Sequence, residues 1–258
     1  MHLTSPKNPL LQKIRRAASS GRPTDAGLIV AEGPHLLEES LHGMWQIEQI
    51  FVTPEARNRY SDLLQKVSCE VIEVSEHAFA ATSATETTQE ILAVLAPRRW
   101  SWQDVAPASA LVVVMDGVQD PGNAGTIVRS AEAFGATGVV FLAGCARVSN
   151  GKLLRATAGS IFRLPFLEGV SISQFISHVR ASDLSLYALA ASGASDLAQA
   201  DFQAQCAVAV GSEGAGVSPE LLSQAQTLRI PTTRVDSLNA AVACSIALFV
   251  AQQQRGSP

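Results

Sequence analysis

An asparagine, an arginine six residues later, a glutamate inside a glycine-rich loop and a second asparagine ahead of the last helical pattern are the side chains here best suited to chemistry. They stand in three separated stretches: NAGTIVRSAEAFG from Asn123, VAVGSEGAGVSPELL from Val208 and RIPTTRVDSLNAAVACSIALFVAQQQR from Arg229. Each stretch puts small or polar residues after a β-rich apolar run and before a helical pattern. Ligands gather at such junctions in open α/β sheets, because backbone N–H groups and helix N-termini converge there. Three such junctions in one half of a chain imply one composite site.

In DGVQDPGNAGTIVR, from Asp116 to Arg129, a strand ends at Met115, Asn123 is placed in the turn and a helix is expected from about Gly125. A β-loop-α junction explains the glycines. It does not explain Arg129, which lies among Ile127, Val128 and Ala131 and whose planar fork suits phosphate or carboxylate. The second stretch has glycines at 211, 214 and 216, which permit close approach of backbone to a ligand. It is not a Walker loop, because no Lys-Ser or Lys-Thr follows. Nor is it GxGxxG, because Glu213 occupies the interior and would repel a pyrophosphate. Two readings fit Glu213: a solvated loop carboxylate, or a partner for a cationic group or for Arg129. The second is preferred. The third stretch opens its helix at Ser237-Leu238-Asn239, and Ala240, Ala241, Ala243, Ser245 and Ala247 allow close packing against other backbone.

The elements that must position these residues fall into two regimes. From His2 to about Ala96, helices expected at Pro9–Ala18, Gly33–His42, Pro54–Val67 and Glu76–Ala81 alternate with strands at Leu28–Ala31, Ile47–Val52, Val71–Val74 and Ile91–Leu95. The stretch from Pro97 to Pro107 lacks periodicity and reads as a linker. Beyond it the strands become continuously apolar, clearest at Leu111–Met115, Gly138–Leu142, Leu184–Ala190 and Ala207–Val210. Helices are expected between them. Runs without alternation predict a parallel sheet covered on both faces. The expected organisation is a domain over 1–96, a linker over 97–109 and a second domain over 110–258.

At 258 residues, the chain can hold one large or two modest cores. The formal net charge of −4 argues mildly against a nucleic-acid partner. The distribution argues the other way. Lys7, Lys13, Arg15, Arg16 and Arg22 all precede the first acid, Asp25, and Arg147, Lys152, Arg155 and Arg163 form a second stretch without Asp or Glu. Local basic patches set phosphate affinity; two ordinary solvated faces are the alternative. Cys69, Cys145, Cys206 and Cys244 are scattered and form no CxxC pair, so neither a zinc site nor a disulfide framework is expected. No metal and a reduced cytoplasm are the expectations. The uncharged run from Ala240 to Ala251 is too short to span a bilayer, and the basic N-terminus lacks the apolar stretch of a signal peptide.

Together the three stretches resemble motifs one, two and three of the SpoU (TrmH) family of RNA 2′-O-ribose methyltransferases, of the SPOUT class. The patterns NxGxIxRSAxxFG, VxxGxExxGxS and IPxxxxxxSLNxAVAxxIxLF occur in the family's order. TSPKNPLLQKIRR, LIVAEGPHLLEES and TTQEILAVL resemble segments of the family's substrate-binding domain, so the likeness covers nearly the whole chain. It implies a SPOUT-type parallel sheet closed by a C-terminal trefoil knot, preceded by a small α/β substrate-binding domain. It implies S-adenosylmethionine held around Gly211, Ile230, Ser237 and Leu238, with Asn123, Arg129, Glu213 and Asn239 at the functional positions. It also implies a homodimer whose sites are completed across the interface, and the basic patch at Lys7, Lys13, Arg15 and Arg16 is expected to contact the RNA. An arginine guanidinium is a cation at physiological pH, so Arg129 is expected to orient the ribose hydroxyl and stabilise its developing charge rather than act as a base.

Two departures from the family pattern stand out. The motif-three loop lacks the usual methionine and glycine, and Gln89-Glu90 stands where Gln-Gly is usual. The two-domain layout favours ribosomal over transfer RNA as substrate. A transfer-RNA methyltransferase and a non-catalytic RNA-binding or assembly protein are the alternatives. A Rossmann-type nucleotide enzyme fits less well, because GxGxxG and the ribose-reading acid are missing.

Overall fold

A computed structural model describes residues 2–85 and 88–256. Thr87, the first residue of the TTQEILAVL segment, lies outside them. Among the described residues the strands form two sheets, and the chain divides into two compact units. One unit comprises Met1–Arg99 with Arg147–Arg163; the other comprises Trp100–Ala146 with Leu164–Pro258.

The first unit is built on β1 (His2–Leu3), β2 (Ile29–Glu32), β3 (Gln46–Val52), β4 (Glu70–Val74) and β5 (Ile91–Ala96), with sheet order β1-β4-β3-β5-β2. Its helices are α1 (Pro9–Ser20), α2 (Pro34–Leu41), α3 (Pro54–Arg59), α4 (Ser61–Leu64) and α5 (Glu76–Ala80). α1 shows why the N-terminal segment folds as a helix. Asn8 caps it by accepting the Leu10 N–H at 2.9 Å, Pro9 holds its first position, and Gly21 ends it at φ 61°. Leu11, Ile14 and Ala17 turn inward, which leaves Lys13, Arg15 and Arg16 exposed. The helix expected over Pro54–Val67 is broken at Tyr60 (φ −110°, ψ 28°) into α3 and α4. Glu90 adopts φ 60°, the conformation for which glycine is usual at this place, and pairs with Arg59 at 3.1 Å.

The second unit opens with α6 (Trp102–Val105), inside the stretch expected to be a linker. Ser101 and Asp104 form a capping box, Val105 is fully buried, and Trp102 stacks on His178 at 4.6 Å. Then follow β6 (Leu111–Asp116), α7 (Pro121–Ala133), β7 (Gly138–Leu142), α8 (Gly151–Ala156), β8 (Phe166–Val170), α9 (Ile172–Ala181), β9 (Ser185–Leu189), β10 (Ser195–Asp196), β11 (Cys206–Gly211), α10 (Pro219–Leu222), β12 (Gln226–Arg229) and α11 (Ala240–Arg255). α8 lies in Arg147–Arg163, the segment that packs with the first unit.

The strand order is β10-β12-β9-β11-β6-β7-β8, and every pairing in it is parallel. Every residue of β6, β7 and β11 is buried, as strands covered on both faces require. Val112 and Val114 join a core with Phe175 of α9 and Leu221 of α10. α11 packs against α7 and β11. The Arg255 guanidinium anchors its end, donating to the carbonyls of Ser109 (2.7 Å), Ala110 (2.9 Å), Phe202 (2.6 Å) and Ala204 (2.8 Å). The carbonyls lie just ahead of β6 and β11, so one side chain ties the last helix to the start of the two central strands.

All four cysteines are free. Burial pushes the Cys244 thiol up to about 12, and it also raises the thiols of Cys69, Cys145 and Cys206. An acid whose pKa is higher when folded stabilises the fold fully below its unfolded value, ~8.5 for a thiol, and loses that contribution as pH rises towards the folded value. Stability is therefore expected to fall between pH 8 and pH 10. Cys244, fully buried and the most strongly shifted, contributes the largest share of this fall. Urea midpoints at the two pH values check this, and Cys244→Ala should flatten the difference.

Candidate active site

β6, β11 and β12 run parallel within one sheet, so their C-terminal loops open at the same edge. Asp116 and Gly211, the last residues of β6 and β11, sit in register. α7 begins at Pro121, four residues earlier than expected, because Asp120 caps it by accepting the Asn123 N–H at 2.9 Å. Asn123 is thus in the first turn of a helix and not in the preceding loop.

Asn239 caps α11. Its Oδ1 accepts the N–H groups of Ala241 and Val242 at 2.9 and 3.3 Å. With that oxygen committed, Nδ2 must face the other way, and it donates to Glu213 Oε1 at 2.8 Å and to Asn123 Oδ1 at 3.2 Å. Asn123 Nδ2 also donates to Glu213 Oε1. Three side chains from three distant stretches therefore meet at one carboxylate oxygen, and among the described residues none donates to Oε2.

Arg129 is placed differently. It is exposed on α7, roughly 9 Å along the helix axis from Asn123, and no hydrogen bond or ion pair joins it to another described residue. Within one chain, Glu213 Oε1 is met by the amides of Asn123 and Asn239 and not by Arg129. One residue further on, Ser130 Oγ meets Ser245 Oγ at 2.7 Å and links α7 to α11.

Beside the triad lies a cleft of about 340 Å³. Gly211, Ile230, Ser237 and Leu238 all line it, with Val210 and Leu228 adding apolar wall. Glu213 and Asp236 put two carboxylates on its surface, which suits a ligand carrying positive charge. The turn at Gly211 depends on that residue: a Cβ there would lie 1.9 Å from the Gly216 carbonyl carbon, and Gly216 itself has φ 67°. None of residues 230–239 has positive φ, so no backbone position in this loop calls for a glycine's left-handed conformation. Gly211→Ala is expected to displace the 211–217 loop and weaken S-adenosylmethionine binding at least tenfold, measured by calorimetric titration; parental affinity in a folded variant would refute this role.

Asp116 went unassigned in the sequence. It is a buried carboxylate whose Oδ2 accepts the Ser218 N–H at 2.7 Å and so ties the far end of that loop back to β6. The signal was an acid closing an apolar strand, where a charge is retained only with a partner. Lys7, Lys13, Arg15 and Arg16 are exposed in the first unit, and none of them joins an ion pair among the described residues. No group of His, Cys, Asp and Glu among those residues could hold a metal ion, and no helix is long and apolar enough to cross a membrane.

Comparison with known proteins places this geometry. Residues 110–249 match the model of the SpoU rRNA methylase family, and residues 8–93 match that of the MRM3-like substrate binding domain. The chain is 33% identical over 249 residues to the 23S rRNA (guanosine(2553)-2′-O)-methyltransferase RlmP of Bacillus subtilis, covering 96% of this chain and 97% of that one. The AdoMet-bound rRNA methyltransferase from Sinorhizobium meliloti superposes with a TM-score of 0.86 at 29% identity, covering 100% of this chain and 99% of that one. The SpoU methyltransferase AviRb from Streptomyces viridochromogenes, in complex with AdoMet, gives 0.89 at 25% identity, covering 96% and 98%. By its family model, its full-length relatives and its SPOUT-type parallel sheet, this chain belongs to the SpoU rRNA methylase family.

Proposed function

We propose that the protein transfers a methyl group from S-adenosylmethionine to a ribose 2′-hydroxyl of ribosomal RNA. The observation that carries this reading is the meeting of Asn123, Glu213 and Asn239 beside the cleft lined by Gly211, Ile230, Ser237 and Leu238. The cleft suits the cofactor: a close glycine turn, apolar walls and two carboxylates for a sulfonium. When bound, S-adenosylmethionine supplies an electrophilic methyl whose leaving thioether is neutral, so in-line positioning matters more than acid catalysis.

The chain's own residues supply that positioning. The two asparagine amides fix the Glu213 carboxylate, whose open Oε2 accepts the ribose hydroxyl. Arg129 orients the hydroxyl oxygen and stabilises its charge as the proton passes to Glu213 Oε2 and the methyl passes from the sulfonium to the oxygen. Residues 1–96 carry RNA binding, with Lys7, Lys13, Arg15 and Arg16 on phosphates, and 110–258 carry the transfer, in a reduced cytoplasm and without a metal. The implied trefoil crossing belongs to the same reading. The chain leaves β12 with β9 between it and β11, then returns as α11 to pack on β11 and α7.

A homodimer completes the proposal. Val242 and Phe249 are 48% and 49% exposed, seven residues apart on α11, and Phe249 meets Phe134 edge-on at 5.9 Å. This apolar stripe belongs to the α7–α11 pair that also carries Arg129, so a partner seated on it would give Arg129 a site to complete. The test is methyl transfer from labelled S-adenosylmethionine to ribosomal RNA and, separately, to transfer RNA, with mass-spectrometric mapping of the methylated ribose. Methylation of transfer RNA alone would replace the substrate; labelling of neither RNA would sink the activity.

A further inference from the structure

The two basic stretches of this chain are more than a hundred residues apart in sequence, yet they belong to one compact unit. The joint between them is specific. Ser149 Oγ, buried, donates to the Gly21 carbonyl at 2.7 Å, and a Cβ on Gly21 would meet Asn150 at 3.2 Å. The C-terminal end of α1 therefore abuts the N-terminal end of α8. Arg22 follows Gly21 directly, Arg147 lies two residues before Ser149, and Lys152 lies two after Asn150.

The rest of Arg147–Arg163 is anchored firmly. Leu153 and Leu154 are buried, and α8 packs on β2. The Met44 N–H donates to the Phe162 carbonyl at 2.7 Å, Phe162 meets Trp45 edge-on at 5.0 Å, and Gly43 comes so near Phe162 that a Cβ would sit 2.4 Å from it. The anchors sort the basic residues by role. Arg163 pairs with Glu39 at 2.7 Å and serves as an internal tie. Arg147 and Arg155 are exposed and make no ion pair among the described residues, and Lys152 is exposed beside them. Arg22, Arg147 and Lys152 thus lie within two residues of this joint, and neither stretch contains an acid.

We infer that Arg147, Lys152 and Arg155 form a second RNA-backbone-binding element, continuous with α1 through the Gly21–Ser149 joint, so that the two basic stretches track phosphates as one surface. This inference rests on the proposal that the substrate is RNA. Phosphate recognition by Lys and Arg releases counterions, so each contact contributes about 0.7–0.9 to the slope of log affinity against log salt. The probe is a fluorescein-labelled stem-loop RNA titrated by anisotropy at several salt concentrations. The variant carries Arg147→Gln, Lys152→Gln and Arg155→Gln. Its slope is expected to be shallower by about 2, its affinity at physiological salt to fall roughly tenfold or more, and its S-adenosylmethionine affinity and melting temperature to remain parental.

A variant carrying Arg147→Lys and Arg155→Lys should keep the parental slope, because charge rather than fork geometry is read. If the triple variant melts early, Arg147→Gln and Arg155→Gln singly should each lower the slope by about 1. Unchanged slopes in folded variants would overturn the inference alone. A parental protein that does not bind the RNA at any salt concentration would overturn it together with the RNA reading beneath it.

Discussion

Asn239→Asp should silence the enzyme while leaving its last helix capped. The Oδ1 of Asn239 accepts two N–H groups at the start of α11, and an aspartate oxygen does that equally well. The Nδ2 group has no such substitute. It donates to Glu213 and Asn123, and aspartate would set a second carboxylate against the first. The donor is lost and a repulsion is gained, so Glu213 is expected to turn away from Asn123 and the cap. We expect single-turnover methyl transfer to fall by ~10²–10³, the usual loss for a positioned polar contact at a reacting centre. Thermal stability should stay near parental. Asn239→Ala gives the complementary result, because it loses the cap as well and should cost about 1 kcal/mol of stability. Parental turnover in Asn239→Asp would show that the triad is only a structural clasp.

The second large effect concerns Arg129. Truncation to alanine should lower methyl transfer by ~10³ or more, because an oxyanion lacks its charge partner. Affinity for S-adenosylmethionine should change less than about twofold, since Arg129 is absent from the cleft lining. Mixing the two inactive variants is more telling. If Arg129 of one protomer serves the triad of its partner, an Arg129→Ala protomer paired with an Asn239→Asp protomer builds one intact site and one doubly damaged site. Random re-pairing of equal amounts should then restore about a quarter of parental activity. No recovery from a mixture that has exchanged protomers would place Arg129 in the site of its own chain.

Legibility in the sequence tracked the range over which each signal acts. The central strands were plain, because a strand covered on both faces must be apolar throughout, and β6, β7 and β11 are. β8 was missed because it is half-exposed at the sheet edge and contains Glu168 and Gly169. The early start of α7 was also readable, from Asp120-Pro121, but Gly122 and Gly125 lower helix propensity enough to hide it. The meeting of Asn123, Glu213 and Asn239 could be expected from three loops at one sheet edge. Which atoms bond could not, because the orientation of Asn239 follows from its capping role and that role depends on where α11 begins. The allegiance of Arg147–Arg163 had no local sign at all, since its partners Gly21, Glu39 and Met44 lie more than a hundred residues away.

That allegiance has an architectural consequence. The chain crosses from one unit to the other after Arg99, after Ala146 and again after Arg163. A single proteolytic nick between 97 and 109 should therefore leave Arg147–Arg163 packed in the first unit. A fragment beginning at 110 would carry Leu153, Leu154, Ile161 and Phe162 stripped of their covering and should aggregate. The first unit is not built from one continuous stretch: it is completed by Arg147–Arg163, which the chain supplies from between two parts of the second.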